Sequence, residues 1–184
     1  MKIVVLSGPS GVGKNTVVAE VLKAIPELRM GSSLTTRAQR PNDVPGKYTF
    51  VGRTEFERRA GNGELLEWAE YNGNLYGTLP PSDDPVLLEI EIQGAAQIKR
   101  LHPDACLMFM VTPGRNVPEQ LAVLAERLRK RGADTPEAMQ KRLVRAEEEL
   151  RQGQAQSDVV IVNDDLPTAV RQTAASIRKY LATK

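Results

Sequence analysis

Apolar positions fall along this chain in two patterns. Short, nearly unbroken runs cover Ile3 to Leu6, Val86 to Ile92 (which ends in the acids Glu89 and Glu91), Ala105 to Val111 and Val159 to Val162. Their lack of alternation predicts strands buried on both faces. Elsewhere the apolar residues recur every three to four positions. Val17, Val18, Val21, Leu22 and Ile25 share one face of a helix that Pro26 ends, further helices start near Pro118 and Pro136, and a terminal one runs from about Pro167. Strands alternating with helices predict an α/β fold, a parallel sheet covered on both sides. Residues 29–80 break the pattern. Helical periodicity fades, and Leu65 to Tyr71 turns at Asn72-Gly73 and returns through Leu75-Tyr76-Gly77, a strong hairpin signal. With one short helix near Thr54 to Arg59, this stretch reads as a small β-rich insert over 31–80, inside a core made of 1–30 and 81–184.

Composition narrows the picture only a little. The 184 residues, 41% hydrophobic and 26% charged, suit one globular domain with a small insert, and a net charge of +2 gives no reason to expect a nucleic-acid partner. The single cysteine, Cys106, lies in an apolar run and can form neither an internal disulfide nor a zinc cluster. There is no apolar stretch of membrane-spanning length and no signal-peptide pattern, so a soluble protein of the cytoplasm is expected. His102, before Pro103, reads as a turn residue with no partner for triad or metal chemistry. Oligomeric state leaves no mark in the sequence.

Chemistry enters with Gly8-Pro9-Ser10-Gly11-Val12-Gly13-Lys14-Asn15-Thr16, between the first strand and the first helix. Glycines let the backbone wrap around phosphate, the N–H groups and helix dipole supply positive potential, and Lys14 reaches the β- and γ-phosphates of a nucleotide. Read alone, the same residues could form a glycine-rich turn with a solvated lysine. Asn15 stands where such loops carry the Ser or Thr that meets magnesium.

Further motifs are spread along the chain: Thr35-Thr36-Arg37 with Arg40-Pro41, Leu66-Glu67-Trp68-Ala69, Tyr76-Gly77-Thr78, Leu88-Glu89-Ile90-Glu91-Ile92-Gln93-Gly94, Arg131-Gly132 and Val162-Asn163-Asp164-Asp165. Together with the glycine loop they resemble the guanylate kinases, nearly end to end. The resemblance implies a P-loop NTPase-type parallel sheet flanked by helices, a GMP-binding insert and a helical lid over about 126–145. It implies ATP-dependent phosphorylation of GMP, and of dGMP besides, with Mg²⁺. ATP would meet Gly8 to Thr16, with Asn163 on the base side. The GMP phosphate would meet Arg37, Arg40, Tyr48 and Tyr76, and guanine would meet Glu67, Ser33, Thr78 and Glu91. Lys14, Arg40, Arg131 and Arg142 would carry the transfer, with Arg127 a weaker candidate; Arg129 and Lys130 read better as ordinary basic residues at a helix C-terminus. Asn15 and Glu89 would meet the metal through water, with Thr16 near the α-phosphate.

Those residue types suit those tasks. A guanidinium fork matches phosphate oxygens, and one carboxylate beside hydroxyls reads the neighbouring donors of guanine. Three departures stand out: Asn15, a segment after Thr78 too short and too proline-rich for the helix expected of the family, and a loop between Arg40 and Tyr48 one residue short. Two other functions fit parts of the pattern. One is a non-catalytic module holding a phosphorylated protein segment, against which Gly13 and Lys14 argue. The other is a same-fold kinase for another acceptor, such as a ribose bisphosphate, against which Glu67 argues.

Overall fold

The computed structural model describes residues 1–41, 43–82, 84–132 and 135–183. In chain order the elements begin with β1 (Ile3–Ser7), α1 (Lys14–Ala24), β2 (Arg29–Met30), β3 (Ser33–Thr35), β4 (Tyr48–Phe50), α2 (Arg53–Gly61), β5 (Glu67–Tyr71) and β6 (Asn74–Thr78). They continue with β7 (Val86–Glu89), α3 (Ile92–Leu101), β8 (Cys106–Val111), α4 (Val117–Arg131), α5 (Pro136–Gln156), β9 (Val159–Val162) and α6 (Leu166–Leu181).

Five strands form a parallel sheet in the order β2-β7-β1-β8-β9. Its central strand is apolar up to Ser7 because both faces are covered: every residue of β1 is buried. Val4, Leu6, Met108 and Met110 face α1 and α6, against Val17, Val21 and Ile177, while Ile3, Val5, Leu88 and Leu107 face Ala95 and Ile98 of α3. Pairing of Leu6 with Glu89 puts the end of β7 beside the loop that leaves β1. Side chains of Asn116, Thr135 and Asp165 accept from the first turns of α4, α5 and α6, each of which has its proline in the first turn.

Two expectations need correction. The strand expected over Val86 to Ile92 ends at Glu89, and Ile92 opens the helix α3. Ile92 packs on Phe109, Val111 and Leu150, with Ala95 and Ile98 following at helical spacing, a periodicity that the preceding apolar run disguises. The strand expected from Ala105 begins one residue later.

Four strands make a second sheet in the order β4-β3-β6-β5, in which only β3 and β4 run parallel. Its hairpin turns at Asn72 and Gly73, with φ of 51° and 75°, the positive pair that a two-residue turn needs. Leu34, Phe56 and Leu75 form a small separate core under α2. Between Thr78 and Val86 the described residues carry no helix or strand.

Helix α5 lies directly on an aromatic ring of the large sheet: a Cβ added at Gly153 would run into Phe109. Gly153→Ala is therefore expected to destabilise the fold by about 1–3 kcal/mol, the usual cost of overpacking a filled core. Urea unfolding measures it. An unchanged midpoint would mean that Phe109 turns aside freely.

Candidate active site

A cleft of about 510 Å³ opens between the two sheets. On the core side its floor is the loop after β1. Gly8 (φ 148°) passes so close to the Met110 carbonyl that a Cβ would stand 2.5 Å from that oxygen, and Gly13 (φ 104°) turns the chain into α1. No side chain caps α1 and its first turn has no acid, which leaves the helix N-terminus open to an anion. Ser10, Gly11, Gly13, Lys14, Asn15 and Thr16 line the cleft. Lys14 Nζ is turned onto the carbonyls of Gly8 and Pro9. Val12 is fully buried, and Asn163 Nδ2 donates to its carbonyl at 2.8 Å. Asn163, together with Gly8, Pro9 and Val12, thus lies outside the cleft lining and shapes the loop from behind.

Across the cleft the insert presents a cationic and aromatic wall. Arg37 pairs through both terminal nitrogens with Asp43, at 2.7 and 3.0 Å, donates to the Ala38 carbonyl at 2.6 Å, and stacks over Tyr48 and Phe50. The same Asp43 accepts from the backbone N–H of Arg40 at 2.7 Å, and the Arg37 guanidinium holds its carboxyl below the usual range. Tyr48 and Tyr71 each meet Tyr76 edge to face, at 6.5 and 6.4 Å. Burial, with the Glu89 charge added, pushes the Tyr48 hydroxyl up to about 12, so it remains a hydrogen-bond donor at neutral pH.

Deeper in, Glu67 and Thr78 sit opposite each other on β5 and β6, and Thr78 Oγ1 donates to Glu67 Oε1 at 2.5 Å. Ser33 pairs with Thr78 in register from β3 and faces the cleft. Thr78 is outside the lining; its proton is spent on Glu67. Gly94 of α3 backs this carboxylate, and a Cβ there would collide with it. Burial raises the pKa values of both Glu67 and Glu91, Lys14 and Arg145 pulling the other way on Glu91. Burial and the Glu91 charge also push Glu149 up to about 7.

Helices α4 and α5 pack together through Leu124, Leu128 and Ala146, and bring cations over the loop after β1. Arg142 donates to Ser10 Oγ at 2.9 Å, Arg131 lines the same cleft, and Arg127 donates to the Asn163 carbonyl at 2.7 Å. Arg129 and Lys130 are exposed and outside it, and Lys130 pairs with Glu126 on its own helix.

Glu89, Glu91 and Asn15 also line the cleft, and a residue overlooked in the sequence joins two of them: Lys47 Nζ lies 2.7 Å from Glu89 Oε2 and 3.2 Å from Asn15 Oδ1. Oxygen ligands from two core elements therefore already converge on a cation, and the donor set fits a hard metal ion. Asp43, Tyr71 and Arg145 were overlooked too. Arg145 lies 3.7 Å over the Tyr71 ring and 3.1 Å from Glu149. Only Asp43 left a sequence signal, a carboxylate three residues beyond Arg40.

A model of the family described as guanylate kinase matches residues 1–180. A guanylate kinase of Gloeobacter violaceus is 47% identical over 177 residues, covering 92% of this chain and 83% of its own length. One of Rubrobacter xylanophilus is 40% identical over 98% of this chain and 95% of its own. Among solved structures, a guanylate kinase from Anaplasma phagocytophilum superposes with a TM-score of 0.76 at 29% identity, over 100% of this chain and 87% of its own. A gluconokinase from Sinorhizobium meliloti, at 18% identity and a TM-score of 0.51, shares the fold.

Proposed function

The chain belongs to the guanylate kinase family, and from that premise we propose a division of labour for the residues of its cleft. The protein is a nucleoside monophosphate kinase, a transferase that phosphorylates GMP at the expense of ATP. In our reading, the core is 1–30 and 81–184, the GMP-binding insert is 31–80, and the lid is about 126–145. The loop from Gly8 to Thr16 holds the ATP phosphates through its N–H groups and Lys14, with Asn163 fixing the loop's shape. Arg37, Arg40, Tyr48 and Tyr76 hold the GMP phosphate. Glu67 accepts from the guanine N–H groups, with Ser33, Thr78 and Glu91 around it.

One observation supports this reading above the rest: a single cleft has Lys14 and the open end of α1 on one wall and Glu67 with Ser33 on the other, with Arg37 and Arg40 lining it too. Transfer brings two polyanions together, and most of the work is positioning and charge neutralisation. Arg37 reaches phosphate by exchanging one oxygen partner, Asp43, for another. Arg131 and Arg142 meet the charge that builds as the γ-phosphoryl moves.

The family is one of ATP-dependent kinases that need a divalent metal, and we take the metal to be Mg²⁺, near Asn15 and Glu89. When bound it neutralises charge on the β- and γ-phosphates. We place the protein in the cytoplasm: its buried Cys106 is free, and among the described residues no helix is long and apolar enough to cross a membrane. Its partners in this reading are ATP and GMP, not nucleic acid.

The test of the site is an acceptor panel with ATP. At equal concentrations GMP is expected to be strongly preferred over AMP, CMP and UMP, because AMP carries no donor at the ring position that Glu67 reads. Equal rates with AMP would remove Glu67 from the base site.

A further inference from the structure

Lys47 is rooted in the insert. It directly precedes β4, its carbonyl accepts from the Ser33 N–H at 2.9 Å, and its own N–H donates to the Val44 carbonyl at 3.2 Å. From there the side chain crosses to the core, where its ammonium meets Glu89 Oε2 at 2.7 Å and Asn15 Oδ1 at 3.2 Å, with the Tyr48 ring 5.3 Å away. The side chains of Lys47 and Glu89 are each only 8% exposed. A lysine in a surface loop has water within reach. Removing its charge from water is costly unless it is closely paired, so this contact is specific.

We propose that Lys47 is a resident cation at the metal position: its ammonium and the divalent ion compete for the oxygens of Asn15 and Glu89. The proposal rests on the reading of those two residues as the metal side of the cleft. Charge makes the two cations exclusive. The ammonium already holds both oxygens, at 2.7 and 3.2 Å, and a divalent ion drawn to the same oxygens, even through water, would meet that positive charge within a few ångström.

The competition accounts for two departures at once. The loop between Arg40 and Tyr48 is short, so Lys47 stands at the cleft edge. Asn15 has a longer arm than the serine or threonine usual at that position, and the ammonium is what it reaches. Because Lys47 belongs to the insert and its partners to the core, the contact also ties the two together. Entry of the metal releases that tie.

Manganese binding to the nucleotide-free protein, followed by the loss of the free-ion signal in electron paramagnetic resonance, tests this without reference to turnover. Lys47→Met and Lys47→Gln remove the charge at nearly constant length, and both are expected to tighten Mn²⁺ binding by about tenfold or more, since a positive charge no longer contests the site. Lys47→Arg keeps the charge and is expected to leave binding as weak as in the unmodified protein. Adding Glu89→Gln to Lys47→Met should abolish the gain. Unchanged or weaker binding in both neutral variants, with Glu89→Gln still harmful, overturns the competition and leaves the metal reading intact. If Glu89→Gln changes nothing in the Lys47→Met background, the metal reading itself fails, and the proposal with it.

Discussion

Arg142→Ala is expected to lower turnover by roughly 10³-fold or more, the range seen when an arginine that stabilises transferring phosphate is lost, while ATP and GMP binding change little. Arg142 lies on α5, remote in sequence from the loop after β1, yet its guanidinium reaches Ser10 of that loop at 2.9 Å. In the proposed reading this holds it where negative charge accumulates as the γ-phosphoryl moves. An interaction made mainly in the transition state appears in kcat, not in ground-state affinity. Steady-state kinetics with both substrates varied separates the two. Arg129→Ala, on the exposed end of α4, is the control and should be mild. A large rise in the KM for ATP with kcat preserved would show that Arg142 binds ATP without assisting transfer.

The second large effect is expected from a methyl group. Gly94→Ala should lower kcat/KM for GMP by about 10²-fold, because the added Cβ collides with the Glu67 carboxylate and pushes it away from Thr78 and, in the proposed reading, from the base. Leaving buried donors of the base unpaired costs on the order of 1–3 kcal/mol, and each 1.36 kcal/mol is a factor of ten. Affinity for ATP should be nearly unaffected, and Glu67→Gln should show the same pattern. If Gly94→Ala handles GMP normally, the carboxylate has room to retreat without losing its ligand.

The parallel sheet, its helices and the hairpin at Asn72-Gly73 follow from periodicity and turn chemistry, because burial on two faces and a tight turn each demand particular residue types. The loop from Gly8 to Thr16 is legible for the same reason. Helix α3 was not, since Ile90 and Ile92 continue a strand-like run across the boundary, and only the later packing of Ile92, Ala95 and Ile98 reveals the turn. Lys47 was invisible because its partner Glu89 lies tens of residues away, and Arg145 because its i+4 partner Glu149 looks like an ordinary helix pair while Tyr71 is distant. A lone lysine or arginine in a sequence looks like solvated charge. Asn163 was legible as a site residue, but its hydrogen bond to the Val12 carbonyl, which braces the loop, was not.

Gly153, described above for its contact with Phe109, also bears on how the proposed lid could close. Helix α5 is one unbroken rod of 21 residues, about 31 Å long, pressed onto the sheet near its C-terminal end and carrying Arg142 in its other half. Were it to tilt in a closing lid, the glycine, where it sits closest to the sheet, would be its fulcrum. Arg142 is eleven residues up the shaft, an arm of about 16 Å, so tilting the rod by about 10° sweeps the guanidinium through about 3 Å, the span of one hydrogen bond. A bulkier residue at the fulcrum would tip the resting angle, and the arginine would arrive out of reach of the loop without any change near the phosphates.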